Sequence, residues 1–284
     1  MDQDHYSDAA LVLVGHGSTQ GPESSAPVIQ HAAALRQRQL FAEVRAAFWK
    51  QAPQLADVLP GLTPPRLFVV PLFMSEGLFS EQVVPRALGL RREGQGEFAR
   101  VQRRGAQTLF YCRPIGTHER MTEVLLTRAR ETVERAPFPR APGLKELTLF
   151  IAGHGTEQDP NSRKPVERQV ERIRALGLYA AVHAVFLEEE PRIGECYRIA
   201  QTRNIVVVPF FIGDGPHVRE DIPVMLGEPS RVVRQRIESG QPTWRNPTEA
   251  NGRRVWYSSS VGSDPRVADV ILERVREAGE WPAE

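Results

Sequence analysis

Three side chains in the second half of the chain belong to residue types that bind divalent metals. His154 lies within Gly-His-Gly after an apolar run, Glu188 follows a second apolar run, and His217 comes shortly after a third. Two imidazoles and one carboxylate suit a borderline cation such as Co²⁺, Fe²⁺, Ni²⁺ or Zn²⁺. Such groups can also accept a proton near neutral pH, as acid–base catalysis requires. His154, Glu188 and His217 are therefore the candidate metal ligands and catalytic residues.

An internal repeat supplies a comparison for these positions. One Gly-His-Gly is centred on His16 and the other on His154, 138 positions later, and this spacing holds without a gap from residue 15 to about residue 89. At the positions equivalent to Glu188 and His217 the first copy has Lys50 and Phe79. An imidazole beside an ammonium group and a phenyl ring is a poor donor set for a cation. We therefore expect one metal site, in the second copy.

Length and composition limit the class of protein. A chain of 284 residues suggests two domains, and 36 basic against 35 acidic side chains leave a net charge of +1. The arginine pairs are dispersed, which argues against a nucleic-acid-binding stripe. Cys112 and Cys196 lie outside any CxxC motif and predict buried thiols in a reducing compartment. With neither a signal peptide nor a run of ~20 apolar residues, the sequence predicts a soluble cytoplasmic protein without membrane partners.

The elements that must position the candidate residues are short apolar strands alternating with helices. Residues 165–176 show apolar side chains at helical spacing. Continuous apolar strands joined by helices indicate parallel sheets covered on both faces. Each copy is therefore predicted to be a doubly wound α/β domain with a parallel four-stranded sheet. The predicted strands are residues 10–14, 44–48, 67–73 and 108–111, then 147–152, 181–187, 205–211 and 255–258.

Two irregular stretches divide the chain further. Residues 136–143 contain three prolines and a glycine, so we place the boundary there, between domains 1–142 and 143–284. Phe110-Tyr111 aligns with Trp256-Tyr257 at a spacing of 146, so the second copy holds eight extra residues. They fall within residues 227–252, which predict a loop with a helix at 230–237. This insertion is equally compatible with a cover over a ligand and with an idle surface loop.

The Gly-His-Gly turn has two interpretations. Glycines after a strand can bring backbone N–H groups to a phosphate, but the chain contains no GxGxxG, GxxxxGK[ST] or GxSxG motif. Nucleotide binding and Ser-His-acid hydrolysis are therefore disfavoured. The second glycine of the motif, Gly155 in the second copy, more simply allows a bulky ligand to lie over the backbone.

These motifs together resemble the sirohydrochlorin chelatase family. The similarity rests on Gly-His-Gly after the first strand of a copy, on Phe-Leu-Glu ahead of a proline, and on residues 207–223, and it spans roughly residues 9–280. The resemblance implies a class II, ATP-independent chelatase with a fold similar to ferrochelatase and a cleft between two domains. It also implies insertion of Co²⁺ or Fe²⁺ into a tetrapyrrole for cobalamin or siroheme synthesis. The family's metal ligands match His154, Glu188 and His217, and the first copy, with Phe79 and Lys50, departs from the pattern.

The implied tetrapyrrole carries many carboxylates, so basic and hydroxyl groups near the motifs are candidate substrate-binding residues. With Gly153 and Gly155, these are Thr156, Arg163 and Arg219, followed by Lys164, Arg86 and Ser18. Glu220 and Asp221 are predicted to cap a helix after His217. A monomer is favoured over a dimer because one chain already holds two copies. Two alternatives stay open: a tetrapyrrole or metal carrier without turnover, and a ferrochelatase acting on a porphyrin.

Overall fold

The two copies form two similar α/β units in a computed structural model, which describes residues 6–18, 22–92, 94, 96–156 and 161–282. The strands are β1 (Tyr6–Gly15), β2 (Phe41–Phe48), β3 (Arg66–Pro71), β4 (Val101–Arg104), β5 (Gln107–Tyr111), β6 (Leu147–Gly153), β7 (Ala181–Phe186), β8 (Asn204–Pro209), β9 (Thr248–Ala250) and β10 (Arg253–Tyr257). Each of the eight predicted strands corresponds to one of these.

Helices of three kinds connect the strands. The α-helices are α1 (Ala26–Gln37), α2 (Leu55–Val58), α3 (Val84–Ala87), α4 (Met121–Arg135), α5 (Lys164–Leu176), α6 (Cys196–Ile199), α7 (Ile222–Met225), α8 (Ser230–Glu238) and α9 (Val267–Gly279). Two π-helices occupy Phe79–Val83 and His217–Asp221. The 3-10 helices are Pro22–Ser24, Leu59–Gly61, Ile115–Thr117, Leu144–Glu146, Ile193–Glu195 and Val261–Ser263. In the described part of the chain no helix combines the length and apolar character that a bilayer span needs.

Each unit is built on one mostly parallel sheet. The strand orders are β2-β1-β3-β5-β4 and β7-β6-β8-β10-β9, so the first strand of each copy lies between the second and the third. The buried strands carry apolar side chains almost without interruption, for example Leu149 to Ala152, because helices cover both faces. This topology brings the carboxyl ends of β7, β6 and β8 to one edge of the second sheet.

The predicted four-stranded sheets have a fifth strand each, and the prediction is wrong on this point. β9 pairs antiparallel with β10 and β4 pairs antiparallel with β5. The β9–β10 hairpin turns at Asn251-Gly252, where both residues have positive φ. Asn-Gly is the strongest short hairpin signal, since both residues tolerate the φ values of a type I′ turn. The added strands are only three and four residues long, below the length at which alternation is informative.

The compact units do not follow the predicted division at residue 142. One unit comprises Met1–His118 with Pro265–Glu284, and the other comprises Glu119–Asp264. The last helix of each copy therefore packs in the other copy's unit: α9 contacts β3, and α4 contacts β8. Residues 136–143 form neither helix nor strand, as predicted. An amphipathic helix shows which of its faces is buried and not which sheet buries it, so the exchange has no signal in the periodicity.

Candidate metal centre

The three candidate ligands follow three neighbouring strands at one edge of the second sheet. His154 comes directly after β6, Glu188 comes two residues after β7, and His217 begins the π-helix that follows β8. β6 pairs in parallel with both β7 and β8, so all three strands end at the same edge. This is the edge at which open α/β sheets bind their ligands.

The side chains of this trio lie close together. His154 Nε2 is 3.7 Å from Glu188 Oε1, and the rings of His154 and His217 are edge to face with centroids 5.1 Å apart. Two donors each about 2.1 Å from a metal and separated by a tetrahedral angle stand about 3.4 Å apart. The distance between His154 and Glu188 is therefore close to that of two ligands sharing an ion.

The trio is an open donor set. Relative exposure is 39% for the His154 side chain, 54% for Glu188 and 49% for His217. Within the described ranges, no three His, Cys, Asp or Glu side chains lie close enough together to hold a metal ion as they stand. A closed four-ligand site retains its metal, whereas an ion that must be passed on requires vacant positions and few protein ligands. The exposed side chains of the trio leave such positions open to solvent.

Hydrogen bonds orient both imidazoles toward metal binding. His217 Nδ1 lies 2.7 Å from Asp221 Oδ2, and His154 Nδ1 lies 3.1 Å from the carbonyl oxygen of Gly155. Because carboxylate and carbonyl oxygens accept hydrogen bonds, each Nδ1 carries the proton and donates it. The lone pair of each ring is then on Nε2. Oxygen acceptors such as Asp221 and the Gly155 carbonyl are the partners that fix the tautomer of a histidine where it binds a metal.

An acidic cavity adjoins His217. Its volume is 350 Å³, and Glu188, His217, Glu220, Asp221 and Arg234 are among its lining residues. Arg234 is paired with Glu220, which leaves the negative charges of Glu188 and Asp221 in excess. Arg234 belongs to α8, which confirms the helix predicted within the insertion at 230–237. Excess negative charge in a cavity raises the local concentration of cations, and here that charge comes from Glu188 and Asp221, while the insertion contributes Ser230 and Arg234 to the wall.

Asp221 provides a test of how His217 is oriented. Replacing Asp221 with Asn keeps the shape of the side chain and weakens the hydrogen bond from His217 Nδ1. We expect Asp221→Asn to lower the affinity for Co²⁺ about 10-fold, the lower end of the effect of losing an outer partner of a ligand histidine. The measurement is a Co²⁺ titration followed by visible absorbance.

Glu220→Gln is the matched control for Asp221→Asn. Glu220 is in the same π-helix and carries the same charge, and it pairs with Arg234 instead of His217. We expect Glu220→Gln to weaken Co²⁺ binding less than Asp221→Asn does. Equal weakening in both variants would indicate that bulk charge, and not the orientation of His217, determines the affinity.

At the equivalent edge of the first unit, the described residues do not form such a donor set. The ring of Phe79 packs edge-on against His16, with centroids 4.4 Å apart, where His217 packs against His154 in the second unit. His16 Nδ1 donates to the carbonyl oxygen of Gly17 over 2.8 Å. The His16 imidazole is therefore oriented as His154 is, but an aromatic ring takes the place of its histidine partner.

The glycines of Gly-His-Gly are required by packing inside the protein. A Cβ on Gly153 would lie 2.6 Å from Val166 Cγ2, and one on Gly155 would lie 2.9 Å from Phe186 Cβ. Gly155 also has φ +63°, a conformation that favours glycine. The contacts with Val166 of α5 and Phe186 of β7 are enough to require glycine at these positions. That the motif also makes room for a ligand stays a prediction.

The predicted substrate-binding residues differ in what they contact. Arg163 donates to Glu167 Oε1 and Glu189 Oε2, each over 2.9 Å, so carboxylates of the protein already balance its charge. Lys164 donates to Asn161, and the Thr156 N–H donates to Ser162 Oγ. Arg86 is exposed on α3 of the first unit, and the Ser18 N–H donates to Gln51. Arg219 follows His217 by two residues and lines a second, larger cavity.

One positioning residue was not found from the sequence. The hydroxyl of Tyr257, at the end of β10, is buried and donates to the carbonyl oxygen of Val218 over 2.6 Å, inside the π-helix that begins with His217. Tyr111 of the first unit makes the equivalent bond to the Ser80 carbonyl over 2.7 Å. Burial raises the pKa of Tyr257 well above its ordinary value, which keeps the hydroxyl a donor. The sequence signal that could have identified Tyr257 is its alignment with Tyr111, because both copies keep a tyrosine at this position.

Comparison with protein families gives a match in each copy. The CbiX family model matches residues 10–132 and 148–278. A protein of Halobacterium salinarum named a probable sirohydrochlorin cobaltochelatase is 40% identical over 280 residues, which cover 95% of this chain and 91% of that protein. A sirohydrochlorin cobaltochelatase of Methanopyrus kandleri is 31% identical over 140 residues, covering 46% of this chain and 96% of that one. The Methanopyrus protein therefore has the length of one copy.

Solved structures share the fold. DR2241 of Deinococcus radiodurans, described as a multi-domain protein similar in structure to chelatases, matches with a TM-score of 0.77 and 28% identity; the match covers 97% of this chain and 56% of that one. The chain thus spans little more than half the length of that protein, which has two additional domains. The chelatase SirB of Bacillus subtilis, solved with cobalt, matches with a TM-score of 0.61 and 17% identity over 97% of this chain and 99% of that one.

Proposed function

Because the chain belongs to the CbiX family, we propose that it inserts a divalent metal ion into sirohydrochlorin. The relatives from Halobacterium and Methanopyrus are named for cobalt, and SirB of Bacillus subtilis has been solved with cobalt and with iron. Cobalt or iron is therefore the metal substrate. The observation on which the proposal rests is the convergence of His154, Glu188 and His217, with each imidazole offering Nε2.

The chemistry needs a weak metal carrier and a base. Insertion replaces two pyrrole N–H protons of the macrocycle with one divalent ion, so two protons must leave. The Nε2 atoms of His154 and His217 hold the incoming ion through few bonds, which permits its transfer to the ring nitrogens. The Glu188 carboxylate, 3.7 Å from His154 Nε2 and more than half exposed, can accept a released proton and pass it to solvent.

The proposed insertion needs no ATP and accepts more than one metal ion. The chain contains no GxxxxGK[ST] loop, which supports insertion without ATP. Two imidazoles and a carboxylate accept Ni²⁺ as well as Co²⁺ and Fe²⁺, so nickel is included as a possible third substrate. The availability of each metal, and not the ligand set, would then decide which one is used.

The proposal extends to cellular setting and assembly. Cys112 and Cys196 are buried free thiols, and burial raises the pKa of Cys196 to about 12, so both behave as inert core residues. This supports a reducing compartment such as the cytoplasm. One chain holds two copies where the Methanopyrus relative holds one, which supports a working monomer.

The direct test supplies purified protein with sirohydrochlorin and Co²⁺ and follows the change in the absorbance of the macrocycle. The proposal predicts many turnovers per protein molecule without ATP. A tetrapyrrole carrier would instead give a change that stops at one equivalent. A ferrochelatase would act on a dicarboxylate porphyrin with Fe²⁺ in preference to sirohydrochlorin, so the same assay with both macrocycles separates the three.

A further inference from the structure

A second cavity lies in the same unit, beyond the carboxyl end of β10. It has a volume of 470 Å³, and neither His154 nor Glu188 lines it. Its wall includes Arg128 and Arg135 of α4, Arg219 of the π-helix, Asp214, and the hydroxyl-bearing residues Ser258 and Ser259. We call this the arginine cavity.

Part of the stretch that contains the insertion forms one wall of the arginine cavity. Residues 240–244 and Asn246 line it, and they fall within the stretch 227–252 that has eight extra residues compared with the first copy. Trp244 is buried against Tyr257, with ring centroids 6.2 Å apart and an edge-to-face angle. Asn246 donates to the Tyr257 carbonyl over 2.8 Å and accepts from the Tyr257 N–H over 2.7 Å. These contacts hold this wall in place, and in the first copy Phe98 packs against Tyr111 in a similar way, with ring centroids 6.0 Å apart.

The charges of the lining favour an anion. Three guanidinium groups face one carboxylate, and the Asp214 carboxylate already accepts the Ser260 N–H over 2.6 Å. Arg128 pairs with the buried Asp264, and among the described atoms its buried Nε has no hydrogen-bond partner. Arg135 is 72% exposed at the rim and pairs with Glu131 of its own helix, an interaction that solvent weakens. Arginine presents parallel N–H groups that match a carboxylate in a bidentate geometry.

The arginine cavity adjoins the element that carries a metal ligand. His217 and Arg219 are two residues apart in the same π-helix, so their Cα atoms are within about 7.6 Å. Val218 lies between them, is buried, and lines the cavity. The arginine cavity and a candidate metal ligand are therefore built on the same π-helix.

We propose that the arginine cavity binds a carboxylate arm of the tetrapyrrole and so fixes the orientation of the macrocycle over the metal ligands. This inference rests on the proposed function, because that function supplies the macrocycle. It assigns a role to the insertion, for which the sequence left a ligand cover and an idle loop equally open. The arginine cavity holds the arm through Arg135 and Arg219, while Arg128 is anchored to Asp264 and shapes the floor.

The test measures the affinity for metal-free sirohydrochlorin by spectroscopic titration of the full chain. Arg135→Gln and Arg219→Gln should each weaken binding about 10-fold, and the two together should weaken it more than either alone. Arg130→Gln is the matched control, because Arg130 is an exposed arginine of the same helix α4 outside the cavity lining. Its affinity should equal that of the unmodified protein.

A second probe separates a carboxylate contact from a change in fold. Sirohydrochlorin with its carboxylates esterified should bind the unmodified protein and the double variant with equal affinity, because the recognised charge is absent. Full affinity of the double variant for unesterified sirohydrochlorin would overturn the inference while turnover by the unmodified protein still supports the proposed function. Absence of turnover by the unmodified protein would instead contradict the proposed function, whatever the titration shows.

Discussion

Removing either candidate ligand histidine of the second copy is expected to abolish most metal insertion. His154→Ala and His217→Ala should each reduce kcat/KM for Co²⁺ insertion by about 100-fold or more, since each variant lacks one of two nitrogen donors and a candidate proton acceptor. Both side chains are about half exposed, so neither substitution creates a cavity in the core, and the variants should retain their thermal stability. The measurement is steady-state insertion with sirohydrochlorin and Co²⁺, together with a thermal unfolding scan of each variant.

The internal repeat provides the matched control for these variants. His16→Ala removes the same side chain from the equivalent position of the first copy, where the ring packs against Phe79 and no second histidine is present. We expect His16→Ala to retain most of the activity. An equal loss in His16→Ala, His154→Ala and His217→Ala would contradict a chemistry confined to the second copy.

Replacing Gly262 is expected to cause a large loss of stability. A Cβ at Gly262 would lie 2.4 Å from both the Cα and the carbonyl oxygen of Ile212, which are backbone atoms and cannot rotate away. The Gly262 N–H also donates to the Phe211 carbonyl over 2.8 Å. Gly262→Ala must therefore displace the segment between β8 and the π-helix that begins with His217. We expect the free energy of unfolding to fall by about 3 kcal/mol, with Tm lower by about 6–12 °C.

Two other glycines make the test of Gly262 specific. Gly116 is its equivalent in the first copy, and a Cβ there would lie 2.3 Å from the Met74 carbonyl oxygen. Gly116→Ala should destabilise the protein to a similar degree without moving the segment that leads to His217. Gly61→Ala should leave Tm unchanged, since nothing lies within 4 Å of a Cβ at that position. An unchanged Tm for Gly262→Ala would contradict the close contact between Gly262 and the Ile212 backbone.

The sequence predicts the parallel part of the fold because its signals are local or repeated. Continuous apolar runs mark the buried strands, and the spacing of 138 residues places each strand of one copy against its equivalent in the other. The edge strands β4 and β9 were missed because they are short, although Asn251-Gly252 was a readable turn signal. The exchange of α4 and α9 was missed because the choice of sheet depends on tertiary packing.

The sequence predicts those parts of the candidate site that the sheet topology determines. Side chains that directly follow neighbouring parallel strands must meet at one edge, which brought His154, Glu188 and His217 together from their positions alone. Asp221 was predicted as a helix cap and instead orients His217, because a π-helix places the two side chains together at a spacing of four. Arg163 was predicted to bind substrate and is paired with Glu167 and Glu189. Such ion pairs depend on side-chain positions that spacing does not encode.

The central claim is that the second copy alone binds the metal. A crystal of the protein soaked with Co²⁺ and measured at the cobalt absorption edge locates the ion through its anomalous scattering. We predict one strong peak bound by the Nε2 atoms of His154 and His217 and by the Glu188 carboxylate. A peak beside His16 with none at His154 would contradict the account.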